Sequence, residues 1–359
     1  MVKKFNWKFS IFKKFRPPLR LREKGEIEGD IQDENFEYWM TNLADDVKSV
    51  PIIYLTIPGS HDSFTASIST GSEISPDADE ILQNLKFLGP IITYFMANWS
   101  RTQEYHATEQ LVSGVRYFDL RVATKEGTDD FYFVHGLYSD NVKEVLVSIT
   151  EFLNSHPQEA VILDFQHFYA FTDSDHERLM EILSKTFEAK MVPYTDSMDI
   201  VTLKYMAAHQ YQVITIYRSD AARFGQPLLW PSSTFPTPWP DTVSTDDLFA
   251  ALDEGIKTRS SAVGFVSQCV LTPSLAFILK NPFSTLKKTC AEDLEAQRLE
   301  WINNQSAGKG GMNIVIADYV NLSNCDFIKA VINLNERLVQ MGDNNSKLQD
   351  VIIDIEKHI

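Results

Sequence analysis

Histidines, arginines, carboxylates and one glutamine recur at the ends of apolar segments in this 359-residue sequence. They are His61, Asp62, Asp119, Arg121, His135, Asp164, Gln166, Arg218 and Asp318. Two histidines can act as general base and general acid in one displacement. Arginine forks match phosphate oxygens and stay charged. The set therefore indicates cleavage of a phosphodiester by acid–base catalysis, with arginine stabilising the charge that develops on the phosphate oxygens.

Other common catalytic motifs are missing from the sequence. It has no Gly-rich phosphate-binding loop and no GxSxG nucleophile elbow. Its histidines and cysteines lack the spacing of a zinc site, and Cys269, Cys290 and Cys325 are widely separated with no CxxC pair. Few and scattered cysteines indicate a reducing, intracellular setting.

The apolar segments have the composition of buried β-strands. Several are near-continuous apolar runs, as strands covered on both faces should be. The predicted strands span residues 52–57, 115–122, 131–135, 160–166, 212–218, 263–270 and 313–318. Six of these seven segments carry residues of the polar set at or just beyond their carboxyl ends.

Helical patterns with apolar residues at spacings of three and four separate these strands. They cover residues 141–157, 174–190, 244–257 and 323–342. Ser174 with Glu177 and Ser244 with Asp247 have the spacing of helix-capping pairs, and Gly342 is a predicted C-cap. The stretch 219–243, rich in Pro and Ser, is predicted to be an irregular loop. Alternating strands and helices predict one α/β domain with a parallel sheet, in the form of a (β/α) barrel.

A (β/α) barrel would bring the polar set together, because active sites of this fold lie at the carboxyl ends of the strands. Side chains alternate faces along a strand, so Asp119 and Arg121 share one face, as do Asp164 and Gln166. Each residue alone has an ordinary structural explanation, such as an ion pair or a helix cap. Their recurrence at one position in the architecture is what favours an active site.

Charge is divided unevenly along the chain. Residues 1–24 hold nine lysines and arginines and one glutamate, a net charge of +8. The whole chain carries −16, so the remaining residues carry −24. An acidic body of this kind argues against nucleic acid as a partner. The basic arm is interleaved with aromatic residues, which suits an anionic membrane surface; a disordered tail is the alternative.

We expect three regions: a basic arm with an acidic lead-in at 1–35, a catalytic barrel at 36–342 and a tail at 343–359. The start lacks the continuous apolar core of a secretory signal. The longest uncharged apolar stretch, 87–99, is too short to span a bilayer. A cytoplasmic protein with peripheral membrane association is expected. The stretch 84–99 predicts either a helix packed on the core or an apolar lip that enters the bilayer.

Five stretches of the sequence resemble the X domain of phosphatidylinositol-specific phospholipase C. They are "LTIPGSHDSFT", "WSRTQEYHATEQLVSGVRYFDLRVA", "FYFVHGLY", "EAVILDFQHFY" and "IADYV". Their order and spacing across residues 36–340 are most similar to small eukaryotic proteins that consist of an X domain and little else. The resemblance implies an irregular TIM-type barrel that acts on an inositol phospholipid at a membrane surface. It also implies attack of the inositol 2-hydroxyl on phosphorus, with release of diacylglycerol.

The resemblance assigns roles to four residues of the first, third and last motifs. His61 resembles the general base, and Asp318 resembles the carboxylate that orients it. His135 resembles the general acid that protonates the leaving oxygen, and Asp62 resembles the carboxylate partner of that acid.

The other residues of the set resemble ligands of the phosphate and the inositol. Arg121 in "FDLR" resembles the phosphate-binding arginine, with Asp119 holding it, and Arg218 in "TIYR" resembles an inositol-binding arginine. Asp164 and Gln166 lie in "DFQ", which departs from the lysine of the bacterial enzymes and the glutamate of the calcium-dependent ones. We expect these two residues on the substrate-binding side.

Metal dependence can be judged from two of these motifs. In the calcium-dependent relatives the base histidine is followed by Asn, and acidic ligands stand where this chain has Asp119 and Arg121. A guanidinium at the ion position would repel Ca²⁺ and replace its charge, so no cofactor is expected. Asp164 keeps calcium dependence open, because it could pair with Arg121 or contribute to a weak metal site.

Two further functions stay open at the level of sequence. One is a non-catalytic phosphoinositide-binding module. The intact set of histidines, aspartates and arginine argues against it. The other is a glycerophosphodiester phosphodiesterase on a similar barrel. That enzyme would need a metal-binding Glu-x-Asp where this chain has Asp119 and Arg121.

Overall fold

The computed structural model describes residues 36–78, 80–84 and 89–338. The predicted basic arm at 1–35, the predicted tail at 343–359 and the predicted cap Gly342 lie outside these residues.

One mixed sheet, built from nine strands within the described residues, forms the frame of the protein. The strands are β1 (Ile57–Ser60), β2 (Tyr117–Thr124), β3 (Phe131–His135), β4 (Leu137–Asn141), β5 (Val161–Tyr169), β6 (Val213–Tyr217), β7 (Leu229–Trp230), β8 (Val266–Gln268) and β9 (Ile314–Ala317). Seven strands follow the order β7-β6-β5-β2-β1-β9-β8, with parallel pairing throughout. β3 and β4 form an antiparallel hairpin beside β2.

The gap between the two end strands of this path, β7 and β8, is bridged by the segment that follows β7. Gly264 N donates to the carbonyl of Thr234 at 2.9 Å, and Val266 N donates to the carbonyl of Pro236 at 2.9 Å. The parallel sheet is therefore a half-barrel that closes through a loop. The predicted irregular TIM-type (β/α) barrel, in a single α/β domain, is confirmed.

Helices cover the outside of the sheet and fill the connections between strands. The α-helices are α1 (Trp39–Asn42), α2 (Asp45–Lys48), α3 (Glu80–Asn84), α4 (Pro90–Ser100), α5 (Ala107–Val112), α6 (Val142–Ser155), α7 (Asp173–Phe187), α8 (Leu203–Ala208), α9 (Asp220–Arg223), α10 (Thr245–Thr258), α11 (Leu275–Lys280), α12 (Glu295–Asn303) and α13 (Leu322–Asn333). Short 3-10 helices span Phe36–Tyr38, Ile52–Tyr54, Glu188–Lys190, Met198–Ile200 and Ser232–Thr234, and a π-helix spans Lys287–Glu292.

Most predicted elements are confirmed. The strands predicted at 115–122, 131–135, 160–166, 212–218, 263–270 and 313–318 correspond to β2, β3, β5, β6, β8 and β9. Every residue of β1, β6 and β9 is buried, which explains their continuous apolar composition. The side chain of Ser244 accepts the N–H of Asp247 at 3.3 Å, as the capping pattern predicted.

The strand predicted at 52–57 is wrong. Ile52–Tyr54 form a 3-10 helix, and β1 begins at Ile57 and continues through the Pro-Gly pair. Pro58 is tolerated because it stands at the start of the strand, where its carbonyl still accepts the N–H of Arg116 at 3.0 Å. Apolar content identified the segment as buried but not as a particular element.

Gly59 is required by close packing inside the barrel. A Cβ at this position would lie 2.8 Å from Ile316 Cγ2 and 2.8 Å from Tyr117 Cδ1. Glycine therefore lets β1 fit between β9 and β2.

The helix cap predicted at Ser174 with Glu177 is also wrong. Thr172 caps α7, and its hydroxyl accepts the N–H of Asp175 at 3.3 Å. The carboxylate of Asp175 in turn accepts the N–H of Thr172 at 2.8 Å. Both pairs have the same spacing in the sequence, so spacing alone could not choose between them.

Three features of the sheet were not predicted. The strand at 131–135 belongs to an antiparallel hairpin rather than to the parallel barrel, its partner β4 was missed, and β7 lies inside the predicted loop 219–243. β7 is only two residues long, and β4 is mostly half-buried, so neither has a strong apolar pattern.

Helix α4 covers most of the stretch that predicted either a core helix or an apolar lip. Ile92, Met96 and Trp99 are buried, Phe95 is half-buried, and Tyr94 is 61% exposed. The structure favours the core-packed interpretation for this helix. Nowhere in the described part of the chain does a helix combine the length and apolarity needed to cross a membrane.

Candidate active site

The turn after β1 presents His61 and Asp62 at the carboxyl end of the barrel. The N–H of His61 donates to the carbonyl of Ala317 at 3.1 Å, and Asp62 adopts the left-handed conformation with a φ of 39°. The N–H of Asp62 donates to Asp119 Oδ2 at 3.2 Å, and Thr102 Oγ1 donates to the carbonyl of Asp62 at 2.9 Å. These contacts hold a backbone conformation that aspartate adopts at a cost.

His61 and Asp318 meet because β1 and β9 are parallel neighbours, with Ser60 opposite Ala317. The Nδ1–H of His61 donates to Asp318 Oδ1 at 2.7 Å, which leaves Nε2 facing the other residues of the site. Gln103 Nε2 donates to the carbonyls of His61 and Ala317, each at 2.9 Å, and so ties the two turns together.

His135 ends β3 and approaches the site from the hairpin. Its Nδ1–H donates to the carbonyl of Ser100 at 2.7 Å. Because a carbonyl only accepts, this nitrogen carries a hydrogen. Its Nε2 lies 3.3 Å from Asp62 Oδ2. Both ring nitrogens can therefore donate when the ring is protonated, as a general acid requires.

Asp62 is shared by the two histidines and an arginine. It is 1% exposed, and its Oδ1 contacts Arg121 Nε. Its Oδ2 lies 3.4 Å from His61 Nε2 and 3.3 Å from His135 Nε2. Burial by itself raises the pKa of Asp62, but Arg121 and the two histidines outweigh it and hold the pKa at about 2. The resemblance assigned Asp62 to His135, whereas the structure places it against both histidines.

The protonation of His61 is set by neighbouring carboxylates. Burial by itself lowers the pKa of His61, but Asp62 and Asp318 outweigh that effect and raise the pKa to about 9. At neutral pH the imidazole is therefore mostly protonated. The neutral fraction, which alone can accept a proton, grows as the pH rises toward 9.

Arg121 and Asp119 leave β2 on the same face, as strand parity predicted. Arg121 Nη2 lies 3.4 Å from His61 Nε2, and its direct carboxylate contact is Asp62 rather than Asp119. Asp119 instead accepts the N–H of Asp62 and lies 3.9 Å from His61 Nε2. Burial raises the pKa of Asp119, an effect that Arg121 opposes and the charge on Asp62 reinforces.

A divalent cation has candidate ligands at this point. Ligand atoms of His61, Asp62 and Asp119 all lie within 4.8 Å of one another. However, the guanidinium of Arg121 contacts Asp62 and lies 3.4 Å from His61 Nε2. A calcium ion bound by these atoms would face that positive charge at close range. The residues present therefore do not fit a calcium ion.

Arg218, Asp164 and Gln166 form a second cluster. Arg218 Nε donates to Asp164 Oδ1 at 2.8 Å, and its Nη2 donates to Asp164 Oδ2 at 2.7 Å. Tyr117 Oη donates to Asp164 Oδ2 at 2.6 Å, and Gln166 Nε2 lies 3.4 Å from the same oxygen. Asp164 thus pairs with Arg218 rather than with Arg121. None of these three predicted substrate-side residues lines the cavity that opens beside His61 and His135.

A cavity of about 270 Å³ opens beside the histidines. Its polar and charged lining residues are His61, Asp62, Asp77, Arg121, His135, Tyr169 and Asp318. Its apolar lining residues include Phe95, Met96, Trp99, Leu271, Leu275 and Ile278. A cavity lined by both charged and apolar residues suits a ligand that combines a charged group with an apolar one.

Sequence reasoning missed several residues that build this site. Asp77 Oδ2 accepts the N–H of Gly136 at 2.7 Å and so holds the turn after His135. Tyr169 reaches the cavity because a bulge shifts the register of β5, which places it opposite Ala123 of β2. Burial and its acidic neighbours raise the pKa of Tyr169 to about 12, although Arg121 opposes this. No sequence signal marks the bulge, and none of the motifs found in the sequence includes Asp77.

Comparison with known proteins agrees with this fold. The solved structure of the phosphatidylinositol-specific phospholipase C from Listeria monocytogenes superposes with a TM-score of 0.58 at 19% identity, covering 84% of this chain and 98% of that one. A structure of the Staphylococcus aureus phosphatidylinositol-specific phospholipase C gives a TM-score of 0.60 at 16% identity, covering 83% of this chain and 98% of that one. The fold class is therefore that of the bacterial phosphatidylinositol-specific phospholipases C.

Sequence comparison identifies the family. The sequence model of the phosphatidylinositol-specific phospholipase C X domain matches residues 91–214. PI-PLC X domain-containing protein 3 of Danio rerio is 38% identical over 310 residues, 85% of this chain and 95% of that protein. PI-PLC X domain-containing protein 1 of Homo sapiens is 34% identical over 311 residues, 84% of this chain and 93% of that protein. The chain belongs to the PI-PLC X domain-containing protein family.

The pairing of His61 with Asp318 predicts the effect of Asp318→Asn on the histidine. Removing the carboxylate charge removes an attraction that favours the imidazolium, so the pKa of His61 should fall from about 9 by roughly one unit or more. An NMR titration of the His61 ring proton measures this pKa. The control is Asp129→Asn, which alters a carboxylate that is 102% exposed. An unchanged His61 pKa in Asp318→Asn would contradict the assignment.

Proposed function

We propose that this protein is a phosphoinositide phosphodiesterase of the phospholipase C type. The observation that carries the proposal is the pair of histidines in one cavity, His61 and His135, which both approach Oδ2 of Asp62 beside Arg121. Base, acid and phosphate ligand are the groups that cleavage of a phosphodiester by an internal hydroxyl requires.

In the proposed reaction, His61 in its neutral form accepts the proton of the inositol 2-hydroxyl, and that oxygen attacks phosphorus. His135 donates a proton to the glycerol oxygen as the bond between phosphorus and that oxygen breaks. The products are diacylglycerol and an inositol cyclic phosphate. Asp318 orients the base and stabilises its imidazolium form, because it accepts the Nδ1–H of His61 at 2.7 Å.

Arg121 supplies the charge that binds the phosphate in this proposal. It lines the cavity, and its side chain is 23% exposed. Burial by itself lowers the pKa of Arg121, but Asp62 and Asp119 raise it above its ordinary value, so the guanidinium stays charged. A fixed cation beside the reacting phosphate stabilises the charge that develops on its oxygens.

The apolar residues in the lining of the cavity support a lipid substrate. Trp99, Leu271 and Ile278 line the same space as the catalytic candidates, so the glycerol and acyl groups can pack against them. We propose that the protein works in the cytoplasm at a membrane surface, where such lipids are held. The basic, aromatic stretch 1–24 is a candidate for an additional attraction to anionic headgroups.

Replacement of either histidine tests the mechanism. His61→Ala or His135→Ala should each reduce turnover of phosphatidylinositol by at least about 100-fold, the scale of a lost general acid or base. Release of the cyclic phosphate from vesicles measures this turnover. His209→Ala, which alters an exposed histidine on the end of α8, is the matched control and should leave turnover unchanged.

The rival function is a non-catalytic module that binds the same headgroup. Such a module would show no turnover in the wild type, and both histidine variants would still bind lipid vesicles. Near-wild-type turnover in both variants would refute the acid–base mechanism even if the protein is an enzyme.

Calcium dependence is the second alternative, and the position of Arg121 argues against it. We expect turnover in EGTA to equal turnover with added Ca²⁺. Arg121→Ala should lower turnover by at least about 100-fold, and Ca²⁺ should not restore it. Activity of the wild type that is lost in EGTA and regained with Ca²⁺ would overturn this expectation.

The charges in the cavity favour a headgroup with a single phosphate. Arg121 is the one lysine or arginine among the described residues that lines the cavity, while Asp62, Asp77 and Asp318 also line it. Arg218 does not compensate, because it does not line the cavity and its Nε and Nη2 both donate to Asp164. Additional phosphates on the inositol ring would therefore face carboxylates without a matching cation.

Plain phosphatidylinositol should accordingly be cleaved at least roughly tenfold faster than its bisphosphate, because like charges in a partly buried site repel. The comparison uses vesicles matched for total surface charge. Asp77→Asn should reduce the ratio of phosphatidylinositol cleavage to bisphosphate cleavage. Asparagine keeps an acceptor for the N–H of Gly136 but removes the negative charge. Asp129→Asn is the control. Equal or faster cleavage of the bisphosphate by the wild type would contradict this preference.

A further inference from the structure

His135 is carried on a tight turn that lies outside the parallel path of the barrel. Gly136 is the single residue between β3 and β4, so His135 stands opposite Leu137 in the hairpin. Gly136 has a φ of 68°, and a Cβ at this position would lie 2.9 Å from Ser100 Oγ. A two-stranded hairpin is only marginally stable by itself, so the direction of the His135 ring depends on what holds this turn.

A segment of the connection after β1, residues 73–77, lies against this hairpin and is called the strap here. Ile74 pairs with Leu137 in an antiparallel bridge, and the N–H of Tyr138 donates to the carbonyl of Glu73 at 2.9 Å. The strap therefore adds a short third strand to the hairpin, on the side of β4.

Both backbone polar groups of Gly136 are bonded to the strap. The N–H of Gly136 donates to Asp77 Oδ2 at 2.7 Å, and its carbonyl accepts the N–H of Ser75 at 3.1 Å. Ser75 is buried, and its Oγ donates to Asp77 Oδ1. Both carboxylate oxygens of Asp77 therefore have partners, and bonds to a charged acceptor are stronger than those between neutral groups. The turn is restrained on two sides.

The contacts of the His135 ring do not fix its position by themselves. Its Nδ1–H donates to the carbonyl of Ser100 at 2.7 Å, and its Nε2 lies 3.3 Å from Asp62 Oδ2. A ring held at Nδ1 can still pivot about that bond, so the place of Nε2 also depends on the backbone at Gly136. A general acid must hold its proton within hydrogen-bond distance of the leaving oxygen. A misplacement of about 1 Å can cost about 100-fold in rate.

We propose that Asp77, oriented by Ser75, is a positioning residue for the general acid: it fixes the turn at Gly136 so that His135 Nε2 meets the leaving oxygen. The proposal rests on the proposed function for the role of His135. Asp77 acts through the backbone of Gly136 and transfers no proton itself. Its loss should therefore impair protonation of the glycerol oxygen and leave the attack of the inositol hydroxyl unaffected.

Asp77→Ala and Asp77→Asn separate the bond to Gly136 from the charge, because both remove the charge and only asparagine keeps an acceptor. The substrate is a short-chain, water-soluble phosphatidylinositol. Its kcat should fall roughly tenfold or more in Asp77→Ala and stay within about threefold of the wild type in Asp77→Asn. KM should be equal in the two variants. The matched control is Glu73→Ala, which removes a strap carboxylate that pairs with Lys125, and its kcat should not change.

A substrate with a better leaving group distinguishes positioning from a general structural role. The 4-nitrophenyl ester of inositol 1-phosphate releases a phenolate, which leaves without a proton from the enzyme. Asp77→Ala should therefore cleave this ester within about threefold of the wild-type kcat, although it cleaves the lipid slowly. An equal loss on the ester and on the lipid would overturn the proposal, because the whole site would then be damaged.

Ser75→Ala is the variant that decides the question if Asp77→Ala melts early. It removes the hydroxyl that orients Asp77 and keeps both the carboxylate and the backbone bond to Gly136. Its kcat for the short-chain lipid should fall about threefold with no loss on the aryl ester. An unchanged kcat for the lipid in this variant would then contradict the proposal.

An NMR measurement tests the positioning without any turnover. The Nδ1 resonance of His135 reports the bond of this nitrogen to the carbonyl of Ser100. It should move in Asp77→Ala and stay at the wild-type position in Asp77→Asn. If the wild type cleaves neither substrate but this difference is found, the proposed function fails and the positioning stands. The same resonance position in the wild type and both variants would overturn the positioning, whatever the turnover.

Discussion

The carboxylate of Asp62 is almost entirely removed from water, and Arg121, His61 and His135 all lie against it. A buried carboxylate is costly unless positive charge compensates it, and three partners do so here, which is why the pKa of Asp62 stays at about 2. The same contacts fix the positions of both imidazoles and the guanidinium relative to one another. The rest of the site is arranged around this one charge.

The order of the strands in the sheet brings these partners together. β1 lies between β2 and β9, so the residues that follow β1 and β9 meet those on β2 at one edge of the half-barrel. The antiparallel hairpin of β3 and β4 then brings His135 from outside the parallel path. Thr102 and Gln103, both fully buried, brace the turns between these strands through the carbonyls of Asp62, His61 and Ala317. An irregularity of the barrel is therefore part of how the site is built.

Two half-buried arginines each pair with a buried aspartate, and the two pairs differ in their relation to the cavity. Arg218 and Asp164 satisfy each other through two hydrogen bonds, and the hydroxyl of Tyr117 completes the cluster. Such a pair contributes little net stability, although removing one partner would leave a costly buried charge. Arg121 contacts Asp62 through Nε, and its side chain lines the cavity. Arg218 does not line the cavity, so the two arginines differ in whether a ligand there can meet them.

The sequence by itself determined the fold class, and it predicted the histidines, the aspartates and Arg121 that the structure brings together, because apolar strands that end in titratable groups can be recognised locally and the motifs around them are specific. Residues 131–135 were predicted as a strand from the same local signal. Only the tertiary structure decided which side chains touch: that Asp62 serves both histidines, that Asp164 takes Arg218, and that Tyr169 enters the cavity through a bulge. Such choices depend on register, backbone conformation and exposure, which arise from contacts between residues distant in sequence.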